Sequence, residues 1–169
     1  MADPVWTTGL GRHLATAVTL ALLVACPFEA LAETPAAPPE AGVMVDHVAL
    51  YVADLDVSAA FYSQVLGLEE IPSAAKGRRW MALGSAQLHL LGGRAEPVPD
   101  QKSRHIALTT LSLEPVMSAL KARGMTWEDF AGHVGQISQT RTDGVRQIFF
   151  KDPDGYWIEV NDAGKLSRP

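Results

Sequence analysis

The chain has 169 residues, 47% hydrophobic and 20% charged, which are ordinary values for one globular domain. Its formal net charge is −5 and its pI is near 5.5, so it lacks the basic footprint of a nucleic-acid binder. Its one cysteine, Cys26, excludes an intrachain disulfide and leaves no thiol nucleophile in the body of the domain.

The N-terminus reads as a leader. Arg12 and His13 precede an apolar run at 14–25 that is too short to span a bilayer as a helix. Pro27 follows, then Ala30-Leu31-Ala32 before Glu33, a small-residue cleavage site. This is the layout of a secretory signal peptide over 1–32. Leu23-Val24-Ala25-Cys26 also resembles a lipoprotein lipobox. That route would end the leader at 25, lipidate Cys26 and anchor the product to a membrane. The two routes predict a soluble periplasmic protein or a membrane-anchored one. Residues 33–42 form a Pro/Ala linker without periodicity, the domain is expected over 43–162, and 163–169 is a tail.

A strand is predicted over 43–52, with His47, Ala49 and Tyr51 on one face and Val48, Leu50 and Val52 on the other. Val57, Phe61, Val65 and Leu66 then recur at helical spacing. Asp56 or Ser58 is the expected cap, and Gly67 the expected stop. A short strand is expected at 68–72. Strands at 79–83 and 87–91 follow, joined by Gly84-Ser85-Ala86, and a polar, proline-bearing connector covers 96–103.

The second half repeats this order. Arg104-His105-Ile106-Ala107-Leu108 echoes Asp46-His47-Val48-Ala49-Leu50. A helix is predicted over 113–123, starting near Ser112, with Pro115 in its first turn and Gly124 as its stop. Met125-Thr126-Trp127 is the expected short strand. A loop covers 128–143, and strands at 145–150 and 156–160 flank the turn Asp152-Pro153-Asp154-Gly155. Each half is β-α-β-β-β, too small to build a good core alone.

The duplication puts His47 and His105 in the first strands, and His89 and Glu159 in the last. Each alternates with apolar neighbours, so all four can face one concave surface. One histidine in a strand is usually a hydrogen-bonded or edge residue, and a lone Glu is usually solvated. Three imidazoles and a carboxylate at repeat-related points are a metal site in type and number. His133, in the loop, is expected to face solvent. Arg79, Arg104 and Arg146 are candidates to hold an anionic substrate group, although most such arginines are plain surface charge.

Four segments, VDHVALYVADLDVSAAFYSQVLGLE, QLHLL, RHIAL and GVRQIFFKDPDGYWIEV, resemble the vicinal oxygen chelate superfamily, the glyoxalase / bleomycin-resistance / extradiol dioxygenase group. The resemblance implies an α+β fold of two tandem βαβββ modules forming a cupped, incomplete β-barrel around one divalent ion, whether zinc, nickel, manganese or iron. It implies ligation by His47, His105 and Glu159, with position 89 as a further ligand in the glyoxalase I and epimerase branches. Those branches carry Glu or Gln there, and this chain carries His89. Related proteins often dimerise, sometimes completing each site with modules of two chains, so a homodimer is a candidate assembly.

The expected activity is metal-dependent lyase or isomerase chemistry on a small molecule with vicinal oxygens, with Glu159 or His89 as base. An Fe(II) dioxygenase of the two-His-one-carboxylate kind is the first alternative. A non-catalytic drug- or metabolite-binding protein is the second.

Overall fold

The computed structural model describes residues 42–73 and 75–166; the leader, Cys26, the linker up to residue 41 and the last three residues of the tail lie outside the described residues. The first half runs β1 (His47–Val52), α1 (Leu55–Leu66), β2 (Glu70–Ile71), β3 (Arg78–Leu83) and β4 (Ala86–Gly92). The second runs β5 (His105–Thr109), α2 (Glu114–Ala122), β6 (Gln147–Lys151) and β7 (Trp157–Asn161), then a 3-10 turn at Ala163–Lys165. Two open sheets result, ordered β1-β4-β3-β2 and β5-β7-β6.

The repeat extends to register. β1 pairs β4 in parallel with Ala49 opposite His89, and β5 pairs β7 in parallel with Ala107 opposite Glu159. In each half the first-strand histidine therefore precedes that point of the ladder by the same step. The third member of each ladder carries an aromatic residue there: Trp80 lies opposite His89, and Phe149 opposite Glu159.

Helix α1 is capped by Asp54, not by Asp56 or Ser58 as expected. Asp54 is extended (φ −128°, ψ 116°), and its carboxylate accepts from the Asp56 and Val57 amides. Gly67 ends the helix at φ 68°, a conformation that costs a side chain about 1 kcal/mol or more. Helix α2 has Pro115 in its first turn and no side-chain cap. The first strand starts at His47, later than expected, and Val43 and Met44 ahead of it are exposed. The strand expected at Met125-Thr126-Trp127 does not form. The Gly135 amide donates to the Trp127 carbonyl, the loop turns back, and Glu128 makes isolated bridges to Phe149 and Val134. The second sheet therefore has three strands.

Both halves share one core. Leu50, Val52, Met81, Leu88 and Leu90 of the first sheet, and Ile148, Phe150, Ile158 and Val160 of the second, pack with Phe61, Tyr62, Val65, Val116 and Leu120 of the helices. Each sheet buries one face in this core. Because side chains alternate along a strand, His47 and His89, and likewise His105 and Glu159, lie on the opposite face of their own sheet.

The Asp152-to-Gly155 turn locks the second half onto the first. The Asp154 side chain is almost fully buried and accepts from the Ala53 amide (2.7 Å), the Ser58 hydroxyl (2.7 Å) and the Arg94 guanidinium (2.6 Å). Asp152 accepts from the Tyr62 hydroxyl at 2.7 Å, and burial pushes both of these groups up in pKa. Asp154→Ala would strand the largely buried Arg94 charge along with two donors. The expected cost is about 3–5 kcal/mol, read as a lower urea midpoint.

Candidate functional site

The second sheet carries a carboxylate–imidazole pair. His105 Nδ1 lies 2.8 Å from the Lys102 carbonyl oxygen, which can only accept, so Nδ1 carries the proton. The Nε2 lone pair then faces Glu159 Oε2 at 3.1 Å. Two acceptors at that distance call for a cation between or beside them, a proton or a metal ion. The other carboxylate oxygen of Glu159 is occupied. It accepts from Gln147 Nε2 at 2.6 Å and from Asn161 Nδ2 at 2.8 Å. The Phe149 ring stands edge-on to His105 at 5.5 Å. A proton-fixed imidazole and a half-saturated, buried carboxylate are the orientation devices that metal ligands use.

Lys102 ties the 128–143 loop to this pair. Its ammonium pairs with Glu128, donates to the Asp129 and Phe130 carbonyls (3.0 and 3.2 Å) and lies 4.8 Å over the Trp157 ring. Sequence reading missed Lys102, Gln147 and Asn161. Asn161 shares a strand face with Glu159 and Gln147 pairs with it across the ladder, so strand alternation offered a signal once the register was known.

The first sheet carries the two other histidines. His47 Nδ1 is 2.6 Å from Asp46, which leaves Nε2 without a partner among the described residues. His89 lies between two rings, stacked on His47 (4.1 Å, 12°) and on Trp80 (4.6 Å, 13°). Its Nε2 is 2.8 Å from the Gln87 amide oxygen. Burial first, and the neighbouring His47 second, lower the His89 pKa. The ring is therefore neutral at pH 7 and able to take a proton.

The four side chains do not converge within one chain. Among the described residues, no group of three or more His, Cys, Asp or Glu is placed to hold an ion. The shared core is the physical reason. It occupies the face of each sheet opposite these side chains, so each pair sits on its own outer face. His133 faces solvent as expected, 71% exposed and paired with Asp129.

The three candidate arginines separate clearly. Arg79 is spent on Glu70, bidentately, and on Asp56 (2.7 Å). Arg146 is spent on Asp162 (2.8 Å) and Glu114 (3.4 Å). Arg104 makes no ion pair among the described residues and lines a cleft of about 740 Å³ together with His105. Asp162 is fully buried, yet hydrogen bonds from Lys165 and Arg146 outweigh that burial and lower its pKa from 3.8 to about 2. A lowered folded-state value contributes stability above pH 4 that is lost as pH falls toward 2, roughly 2 kcal/mol in all. Asp162→Asn should flatten the fall of melting temperature between pH 4 and 2, measured by circular dichroism.

Comparison with known proteins bears on the family and the fold. The family model described as Glyoxalase/Bleomycin resistance protein/Dioxygenase superfamily matches residues 44–160. The uncharacterized protein YwbC of Bacillus subtilis is 30% identical over 124 residues, covering 68% of this chain and 94% of its own. Glyoxylase I 4 of Arabidopsis thaliana is 28% identical over 131 residues, covering 72% of each. The solved structure of the oxidase ChaP-H2 superposes with a TM-score of 0.61 at 24% identity, covering 75% of this chain and 94% of that one, a likeness of fold.

Proposed function

The chain belongs to the Glyoxalase/Bleomycin resistance protein/Dioxygenase superfamily, and from that premise we propose a metal-dependent enzyme of the lyase or isomerase kind. Its substrate is a small molecule with vicinal oxygens. The observation that carries the reading is the His105–Glu159 pair, with one lone pair and one carboxylate oxygen left open at 3.1 Å. His105, Glu159 and His47 would hold one divalent ion. When bound, that ion supplies Lewis-acid stabilisation of a developing oxyanion. Gln147 and Asn161 hold Glu159 in place, and the Lys102 carbonyl fixes the His105 tautomer. His89, neutral and beside His47, takes the substrate proton.

Neither pair of ligands makes a site by itself, since a protein metal site takes three or four ligands. We propose that two copies complete it. The His47 face of one copy meets the His105–Glu159 face of the other, and a twofold axis builds the arrangement twice. β1 and β5 are both edge strands, so each ligand face borders an open sheet edge. One ion per chain is expected in a dimer.

A two-His-one-carboxylate Fe(II) dioxygenase is the second reading. It takes the same three residues, since the Gln87 and Trp80 contacts hold His89 apart from a ligand role. Oxygen uptake decides between them. Protein loaded anaerobically with Fe(II) and given catechols should consume no oxygen if the first reading holds, and should consume it stoichiometrically if the second does. Protein that binds no divalent ion in any state leaves only a binding module.

Export is part of the proposal, resting on the leader read at 1–32. Expressed with that leader in a Gram-negative host, the mature chain should begin at Glu33 or at a lipidated Cys26 by mass spectrometry. A full-length cytosolic product would refute both.

A further inference from the structure

We propose that the cleft beside His105 receives a fused aromatic anion and that Arg104 meets its negative group; this rests on the reading of His105 as part of the reactive site. The cleft holds about 740 Å³, far more than a three-carbon oxo compound would fill. Tyr51, Val98, Ile106, Tyr156 and Trp157 supply its walls. Their polar atoms are already committed. The Tyr51 hydroxyl donates to the Gly93 carbonyl at 2.7 Å, the Tyr156 hydroxyl to the Tyr51 carbonyl at 3.0 Å, and Trp157 Nε1 to Asp100 at 2.9 Å. The Tyr51 and Tyr156 rings are thus left with apolar surface to offer, which suits a flat aromatic body, while the Trp157 ring at the cleft's edge is covered by the Lys102 and Lys151 ammonium groups at 4.8 and 4.9 Å.

Charge sets the second requirement. Arg94 and Arg104 line the cleft along with one carboxylate, Glu96. Arg94 is neutralised by Asp154 at 2.6 Å. Arg104 has no such partner among the described residues, and it directly precedes His105. A guanidinium at the cleft, next to a candidate reactive imidazole, favours a carboxylate or sulfonate on the ligand. Of the three arginines flagged in the sequence, it alone combines an open charge with a place at a cavity.

The test uses the full chain stripped of metal, with 2-naphthoate and the neutral 2-naphthamide as probes, read by calorimetry. The acid should bind about tenfold more tightly than the amide, as one charged hydrogen-bonded contact provides. Arg104→Met should remove that preference and leave amide binding unchanged. Circular dichroism confirms the fold of the variant. Equal affinity for both probes, or undiminished acid binding in Arg104→Met, overturns the inference. So does protein that binds zinc but neither probe at millimolar concentration. Protein that binds the acid selectively yet no metal overturns the enzyme reading while supporting the ligand class.

Discussion

Glu159→Gln is expected to lower zinc affinity by about a hundredfold or more while the fold survives, as the proposed site requires. Glutamine matches the shape of glutamate, so the change removes charge and replaces one acceptor oxygen with a donor. Gln147 and Asn161 both donate to Oε1 of Glu159. They will hold the new carboxamide oxygen and turn its NH2 toward His105 Nε2, where it satisfies the open lone pair. Gln147→Leu should fall between this variant and the parent, about 10- to 100-fold weaker, because it only loosens the carboxylate. His89→Ala should keep zinc affinity within a few-fold and lose turnover instead, since its Nε2 is engaged by Gln87. A competition titration against a chromophoric chelator ranks all three. Zinc bound by Glu159→Gln as tightly as by the parent would remove Glu159 from the site. A collapse of affinity in His89→Ala would make it a ligand.

The sequence exposed the fold through its repeat. The echo of Asp46–Leu50 at Arg104–Leu108, with a glycine-stopped helix after each, needed only local pattern to be read. The structure added that the echo holds in ladder register, Ala49 with His89 and Ala107 with Glu159. The lost strand at Met125-Thr126-Trp127 was not legible, because its apolar pattern is sound and a distant glycine, Gly135, takes the Trp127 carbonyl. The α1 cap, expected at Asp56 or Ser58, lies two or four residues earlier at Asp54 for a related reason. Ser58 has the right chemistry for a cap, but its hydroxyl is claimed by Asp154, far along the chain.

At the site, strand alternation identified which face each candidate ligand occupies but not how the two faces meet. That depends on which sides of the two sheets share the core, a tertiary choice that the period of two leaves open. The arginines teach the same lesson. Arg79, Arg104 and Arg146 look alike in sequence, and only their partners, Glu70 and Asp56 for the first and Asp162 for the last, tell them apart.

Mixing two inactive variants should restore activity. His47→Ala removes a ligand from one face of the chain, and Glu159→Ala removes one from the other. If each site takes His47 from one copy and His105 with Glu159 from its partner, both homodimers have two broken sites. A mixed dimer has one site carrying both lesions and one carrying neither. Co-expressed in equal amounts, half of the dimers are mixed, so about one quarter of the wild-type sites are intact. Turnover and bound zinc should both return to about that fraction. The two readouts guard against a loss of activity from causes other than ligation. The alternative has a distinct signature: a site completed inside one chain leaves every chain of the mixture broken, and neither activity nor metal returns at any ratio. His105→Ala co-expressed with Glu159→Ala is the control, because both lesions lie on one face, every site takes that face from a single chain, and no mixed dimer then holds an intact site.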